Sequence, residues 1–153
     1  MPTSTDAMIG KFSSPDVYLA HTGTEKGRGV YANRHFTERE VVECTPVILI
    51  ETPFPELPPD IQKVVFSWSM LTGAESFTAS VYAIALGFGS LYNHANPANM
   101  SCKGDTTTNM IRFTAVRAIA PEEELTINYN APGGGATSDN NDWFNRMNVK
   151  IVE

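Results

Sequence analysis

Residues 81–99 constrain this chain more than any other stretch. An apolar run over residues 81–86 gives out at Gly87-Phe88-Gly89, and Asn93, His94, Asn96, Pro97 and Asn99 follow closely. Two glycines at the end of a buried element allow a left-handed turn or a close backbone approach. The Asn/Pro cluster marks a tight loop. A core element that runs straight into Gly, Asn, His and Pro sets polar groups beside the apolar interior, where sites form.

Two other stretches carry comparable signals. Lys26-Gly27-Arg28-Gly29-Val30-Tyr31 is a glycine turn opening onto a strand. Glu124-Leu125-Thr126-Ile127-Asn128-Tyr129 is a short alternating strand that ends in a tyrosine. Gly27-Arg28-Gly29 lacks the third glycine of a dinucleotide fingerprint, so a Rossmann reading fails. Taken alone, each stretch also suits a plain turn or a core strand.

The elements around them are short. Strands are expected at residues 17–19, 30–32, 41–42, 47–50 and 124–129, with residues 110–119 forming two strands or one bent strand. Residues 81–86 form a strand or a short helix, and residues 100–109 read as a polar connection. Behind Pro58-Pro59, with Asp60 as a cap, Ile61, Val64, Val65, Trp68 and Leu71 recur at helical spacing until Gly73 stops the run. Many short strands and one main helix predict a mainly β fold.

With 153 residues, 42% of them hydrophobic, the chain suits one globular domain. Residues 1–15 read as a flexible leader, 16–130 as the domain, 131–141 as a Gly-rich linker, and 142–153 as a C-terminal segment. No apolar run approaches the roughly 20 residues that cross a bilayer, and the first residues lack a secretory pattern. An intracellular, soluble protein is expected, nuclear or cytoplasmic, with no membrane partner. Cys44 and Cys102 are expected as reduced thiols, and no histidine or cysteine pattern suggests a metal. The net charge of -6, with Lys and Arg scattered, argues against direct nucleic-acid binding. It suits a basic partner, or simply aids solubility.

The order Gly27-Arg28-Gly29-Val30, then Asn93-His94 with Asn99 downstream, then Glu124-Leu125-Thr126 with Tyr129, resembles the SET-domain family of protein-lysine methyltransferases. It is most similar to small stand-alone viral SET proteins, which also carry Gly-Phe-Gly ahead of Asn-His. The resemblance implies small curved β-sheets with a pseudoknot-like C-terminal threading, which would bring the Asn93-His94 loop beside Tyr129. It implies S-adenosylmethionine as cofactor in one cleft. A lysine of a histone-like, Lys/Arg-rich protein or peptide enters from the opposite face, and a homodimer is a further implication.

Residue by residue, the resemblance makes Tyr129 the catalytic tyrosine, orienting the amine through its hydroxyl. Gly27, Arg28 and Gly29 become a cofactor loop, Asn93 the partner of the cofactor's amino-acid end, and the His94 backbone that of its adenine edge. Glu124 is read as pinning a loop. Trp143, or Phe144, either closes the lysine channel or packs the C-terminus. The chain departs from the family at Ala95 and Asn96, where Ser and Cys are usual, and at Pro97, one place early. Ser90 replaces a common arginine, and no cysteine-rich segment follows Tyr129. These departures leave an alternative: a catalytically inactive SET-like module that binds basic peptides.

Overall fold

The computed structural model describes residues 15–73, 81–137 and 139. Two sheets make up most of it. β1 (Val17–His21) and β2 (Arg28–Ala32) form a hairpin, and β9 (Glu124–Ile127) lies antiparallel beside β2. β6 (Asn93–His94) runs parallel to β9, giving the order β1-β2-β9-β6. The hairpin turn closes through Thr22 N–H to Gly27 O at 2.7 Å, with Gly23 and Gly27 both at φ 76°. That backbone region favours glycine.

The second sheet is built on β3 (Val41–Ile50), one long strand where the sequence suggested two short ones. β5 (Tyr82–Ala85) and β8 (Met110–Ala115) flank it. β4 (Val65–Ser67) and β7 (Met100–Asp105) are the edges, giving the order β4-β5-β3-β8-β7. The fold is mainly β, as the sequence led us to expect. Val30, Phe36, Ile111, Phe113, Ile119 and Leu125 are wholly buried and form the centre of one core.

Other expectations need correction. The single helix over residues 60–72 is two short helices, α1 (Pro59–Gln62) and α2 (Trp68–Thr72), with β4 between them. Val65, Phe66 and Ser67 pair with Ile84, Ala83 and Tyr82, so sheet pairing overrides the helical period. Ser67 is the N-cap of α2, its side chain accepting from Met70 N–H, and Gly73 ends that helix at φ 70°. Asp60 sits inside the first turn of α1, with Pro58 in the cap position. Residues 100–105, expected as a connection, are β7. Met100, Cys102 and Gly104 face inward, and the glycine hides the alternation. A Cβ at Gly104 would stand 2.9 Å from the Trp68 ring, so only glycine fits there.

Cys44 and Cys102 are both buried and form no disulfide with each other. Among the described residues no helix is long and apolar enough to cross a membrane, and no cluster of His, Cys, Asp or Glu could hold a metal ion.

Candidate active site

The parallel β6–β9 pair builds the site. It sets Asn93 opposite Thr126 and His94 opposite Ile127, and Ala95 N–H continues the ladder to Ile127 O. Asn99 locks the register from the next turn. Its buried side chain accepts Thr126 N–H at 2.9 Å and donates to Glu124 O at 2.8 Å. An asparagine amide can satisfy a strand edge in this way because it carries both an acceptor and donors.

Tyr129 lies two residues beyond the end of β9. Its hydroxyl donates to Tyr92 O at 3.0 Å, and its backbone N–H donates to His94 Nδ1 at 3.2 Å. The His94 and Tyr129 rings lie 5.3 Å apart between centroids. Burial pushes the Tyr129 phenol up to about 12, with the Glu124 carboxylate adding to the shift. The phenol therefore stays protonated across the neutral range.

The glycine turn joins the same cluster. Asn93 Nδ2 donates to Arg28 O and to Glu124 Oε1, each at 2.8 Å. Both amide hydrogens are thus committed, leaving Asn93 Oδ1 as an acceptor. A Cβ on Gly29 would stand 2.6 Å from Glu124 Oε1, so glycine allows the turn to meet the carboxylate. Asn93 thus ties the glycine turn to Glu124 on β9. Space in front of the Gly27 Cα is open. Lys26 Nζ donates to His94 O at 2.9 Å. The structure thus brings Gly27, Arg28, Gly29, Asn93, His94 and Tyr129 together. Trp143 and Phe144 lie outside the described residues.

Beside the cluster lies a cavity of about 140 Å³, with Tyr129, Tyr92 and Ser90 among polar lining residues and Val65, Leu71 and Ile127 among apolar ones. Gly27, Arg28, Gly29, Asn93 and His94 do not line it. The sequence reading did not single out Lys26, Tyr92 or Glu43. For Glu43 a signal existed: a charge inside the apolar run of β3.

Fold and site together define a SET domain. The family model for that domain matches residues 27–130, and the chain belongs to the SET-domain family. Over 107 residues it is 29% identical to the H3 lysine-37-specific histone-lysine N-methyltransferase of Schizosaccharomyces pombe. That match covers 68% of this chain and 67% of the relative. Among solved structures, a Plasmodium falciparum protein described as a candidate histone methyltransferase superposes with a TM-score of 0.58 at 21% identity, covering 76% of this chain and 95% of that one. The Chaetomium thermophilum Polycomb Repressive Complex 2 bound to GSK126 gives 0.59 at 20%, covering 88% of this chain and 17% of that one. Likeness at these identities shows the fold.

Proposed function

We propose that this protein is an S-adenosylmethionine-dependent protein-lysine N-methyltransferase acting on a Lys/Arg-rich protein such as a histone tail. The observation that carries the reading is the Tyr129 hydroxyl, which binds Tyr92 O at the wall of a cavity while its backbone meets His94. The histone-lysine relative from Schizosaccharomyces pombe supports the substrate class. The Gly87-Phe88-Gly89 run ahead of Asn93-His94 supports a grouping with small viral-type SET proteins, and with it a homodimer, which sedimentation tests.

The residues present fit the cofactor. Open space at Gly27 and Asn93 Oδ1, which accepts no hydrogen bond from the described residues, give its amino-acid end room and an acceptor, and Glu124 adds a negative charge beside them. When bound, S-adenosylmethionine supplies a methyl group activated on sulfonium. The chain's own residues do the rest. A free lysine has a pKa of about 10.4, so its neutral amine lies roughly 4.6 kcal/mol uphill at pH 7. A cavity with Val65, Leu71 and Ile127 among its walls desolvates the ammonium and lowers that cost. Protonated Tyr129 is no general base. Its hydroxyl donates to Tyr92 O, and an oxygen oriented by that bond is suited to accept from the amine and orient it.

The test is incubation with labelled cofactor and a panel of basic proteins, read by mass spectrometry. Label on lysine supports the reading; no cofactor binding by calorimetry removes it. A second reading, the inactive peptide-binding module, is favoured by one contact. Lys26 Nζ already holds the His94 carbonyl, the backbone assigned to the adenine edge. Turnover on any lysine peptide excludes that second reading.

A further inference from the structure

Glu43 is wholly buried in β3, where a register shift between Val41 and Glu43 interrupts the pairing with β8. Such bulges re-aim side chains. A buried carboxylate persists only when hydrogen-bonded. Here Tyr92 Oη donates to Glu43 Oε1 at 2.8 Å and Phe88 N–H donates to Oε2 at 3.0 Å. Gly87, at φ 66°, lets the chain close on the carboxylate; a Cβ there would stand 2.6 Å from Oε2. One side chain thus holds both ends of the segment 88–92, directly before Asn93. Tyr92 is itself buried, its ring packed 4.8 Å from that of Phe113, and its carbonyl receives the Tyr129 hydroxyl at 3.0 Å.

We propose that Glu43 is a positioning residue for methyl transfer: through Tyr92 it fixes the carbonyl that aims the Tyr129 hydroxyl. The proposal rests on the lysine-methyltransferase reading above. The link moves no proton, because a backbone carbonyl stands in its middle. Its effect is geometric. With the phenolic proton held on Tyr92 O, the Tyr129 lone pairs keep one direction. Freed from Glu43, Tyr92 and its carbonyl shift, and that direction is lost.

The test uses the full chain with Glu43→Gln, Tyr92→Phe and the double variant. Glutamine offers one acceptor oxygen to two donors, so it loses or reverses one bond; phenylalanine removes only the hydroxyl. Each single variant is expected to lower kcat about fivefold or more, with KM and cofactor affinity within about twofold. The double variant is expected within about twofold of the weaker single one, because both cut the same link. Ile111→Val, a core change outside the link, controls for lost stability; at a comparable Tm loss it keeps kcat. Tyrosine labelled with 13C at Cζ gives a readout independent of turnover, the Tyr129 resonance being assigned with Tyr129→Phe. That resonance is expected to shift in both single variants. Unchanged kcat in folded variants, multiplied losses in the double variant, or an unmoved Tyr129 resonance overturns the proposal. If Glu43→Gln fails to fold, Tyr92→Phe carries the test. If the wild type transfers no methyl group to any substrate, the functional reading fails, and the resonance alone decides the link.

Discussion

The Tyr129 hydroxyl donates to the backbone carbonyl of Tyr92 at 3.0 Å, joining two segments 37 positions apart. A phenol committed in this way is suited to orienting a substrate rather than deprotonating it. Tyr129→Phe is therefore expected to lower methyl transfer about a hundredfold, with cofactor affinity within about twofold. Because burial holds the phenol at about 12, the wild-type rate profile should show no Tyr129 ionisation below pH 10. Single-turnover assays with calorimetry on the same samples check both points. A variant that loses cofactor binding along with turnover would place Tyr129 in the wrong role.

The separate stretches of this cluster were visible because their signals are local, while their meeting in space was implied only by the family resemblance. Glycine turns, and polar residues that end apolar runs, announce themselves within a few positions, as at Gly27-Arg28-Gly29 and Asn93-His94. What stayed hidden depends on distant pairing. Glu43 meets Tyr92 across 49 positions, and nothing near either residue names the other. The spacing of Ile61, Val65, Trp68 and Leu71 fits one helix as well as two short helices around a strand. Only the partner strand β5, whose residues 82–84 face β4, decides between them. β7 escaped notice because Gly104 supplies no apolar side chain where the alternation needs one.

Asn93 ties the glycine turn to β9 through Arg28 O and Glu124 Oε1. Asn93→Ala removes both bonds and the remaining acceptor. Cofactor Kd is expected to rise about tenfold or more, the range of a hydrogen bond to a charged group. The site is partly exposed, so Tm should fall little. Calorimetric titration tests this; unchanged affinity would remove Asn93 from the cofactor site.

Asn99 presents the opposite balance, structural before functional. Asn99→Ala would leave Thr126 N–H and Glu124 O unpaired in a buried place. The expected cost is about 2–3 kcal/mol of unfolding free energy. Asn99→Asp keeps the acceptor for Thr126 N–H but sets an oxygen against Glu124 O, so it should not rescue. Urea denaturation of the two variants checks the order. An aspartate variant as stable as the wild type would refute the assigned amide orientation.

Burial pushes the Cys102 thiol up to about 12, and Cys44 is also buried. The reactive thiolate is therefore scarce at Cys102. Alkylation of the native protein at pH 8 is expected to be slow at both residues and complete after unfolding. Mass spectrometry of iodoacetamide time courses reads this out, and rapid native labelling of Cys102 would contradict the packing described.

The pH dependence of stability should carry two opposed slopes. The Arg117 guanidinium beside Glu123 holds that carboxyl below its usual range. A depressed folded pKa gives stability that is fully present above the unfolded value, about 4.3, and lost as pH falls through the folded pKa. Both side chains are partly exposed, so screening limits this pair to about 1 kcal/mol or less. Arg117→Met should flatten the acid side by no more than that. Glu43 acts in the other sense, since burial raises its pKa despite the bonds from Phe88 and Tyr92. Below the unfolded value both states hold the proton. Between the unfolded and folded values the native state alone keeps it, so stability falls as pH rises through that window. Glu43→Gln, with nothing to titrate, should remove this fall. Urea midpoints measured from pH 3 to 8 separate the two effects. Parallel wild-type and Glu43→Gln curves would mean that Glu43 ionises in the folded chain as easily as in the unfolded one.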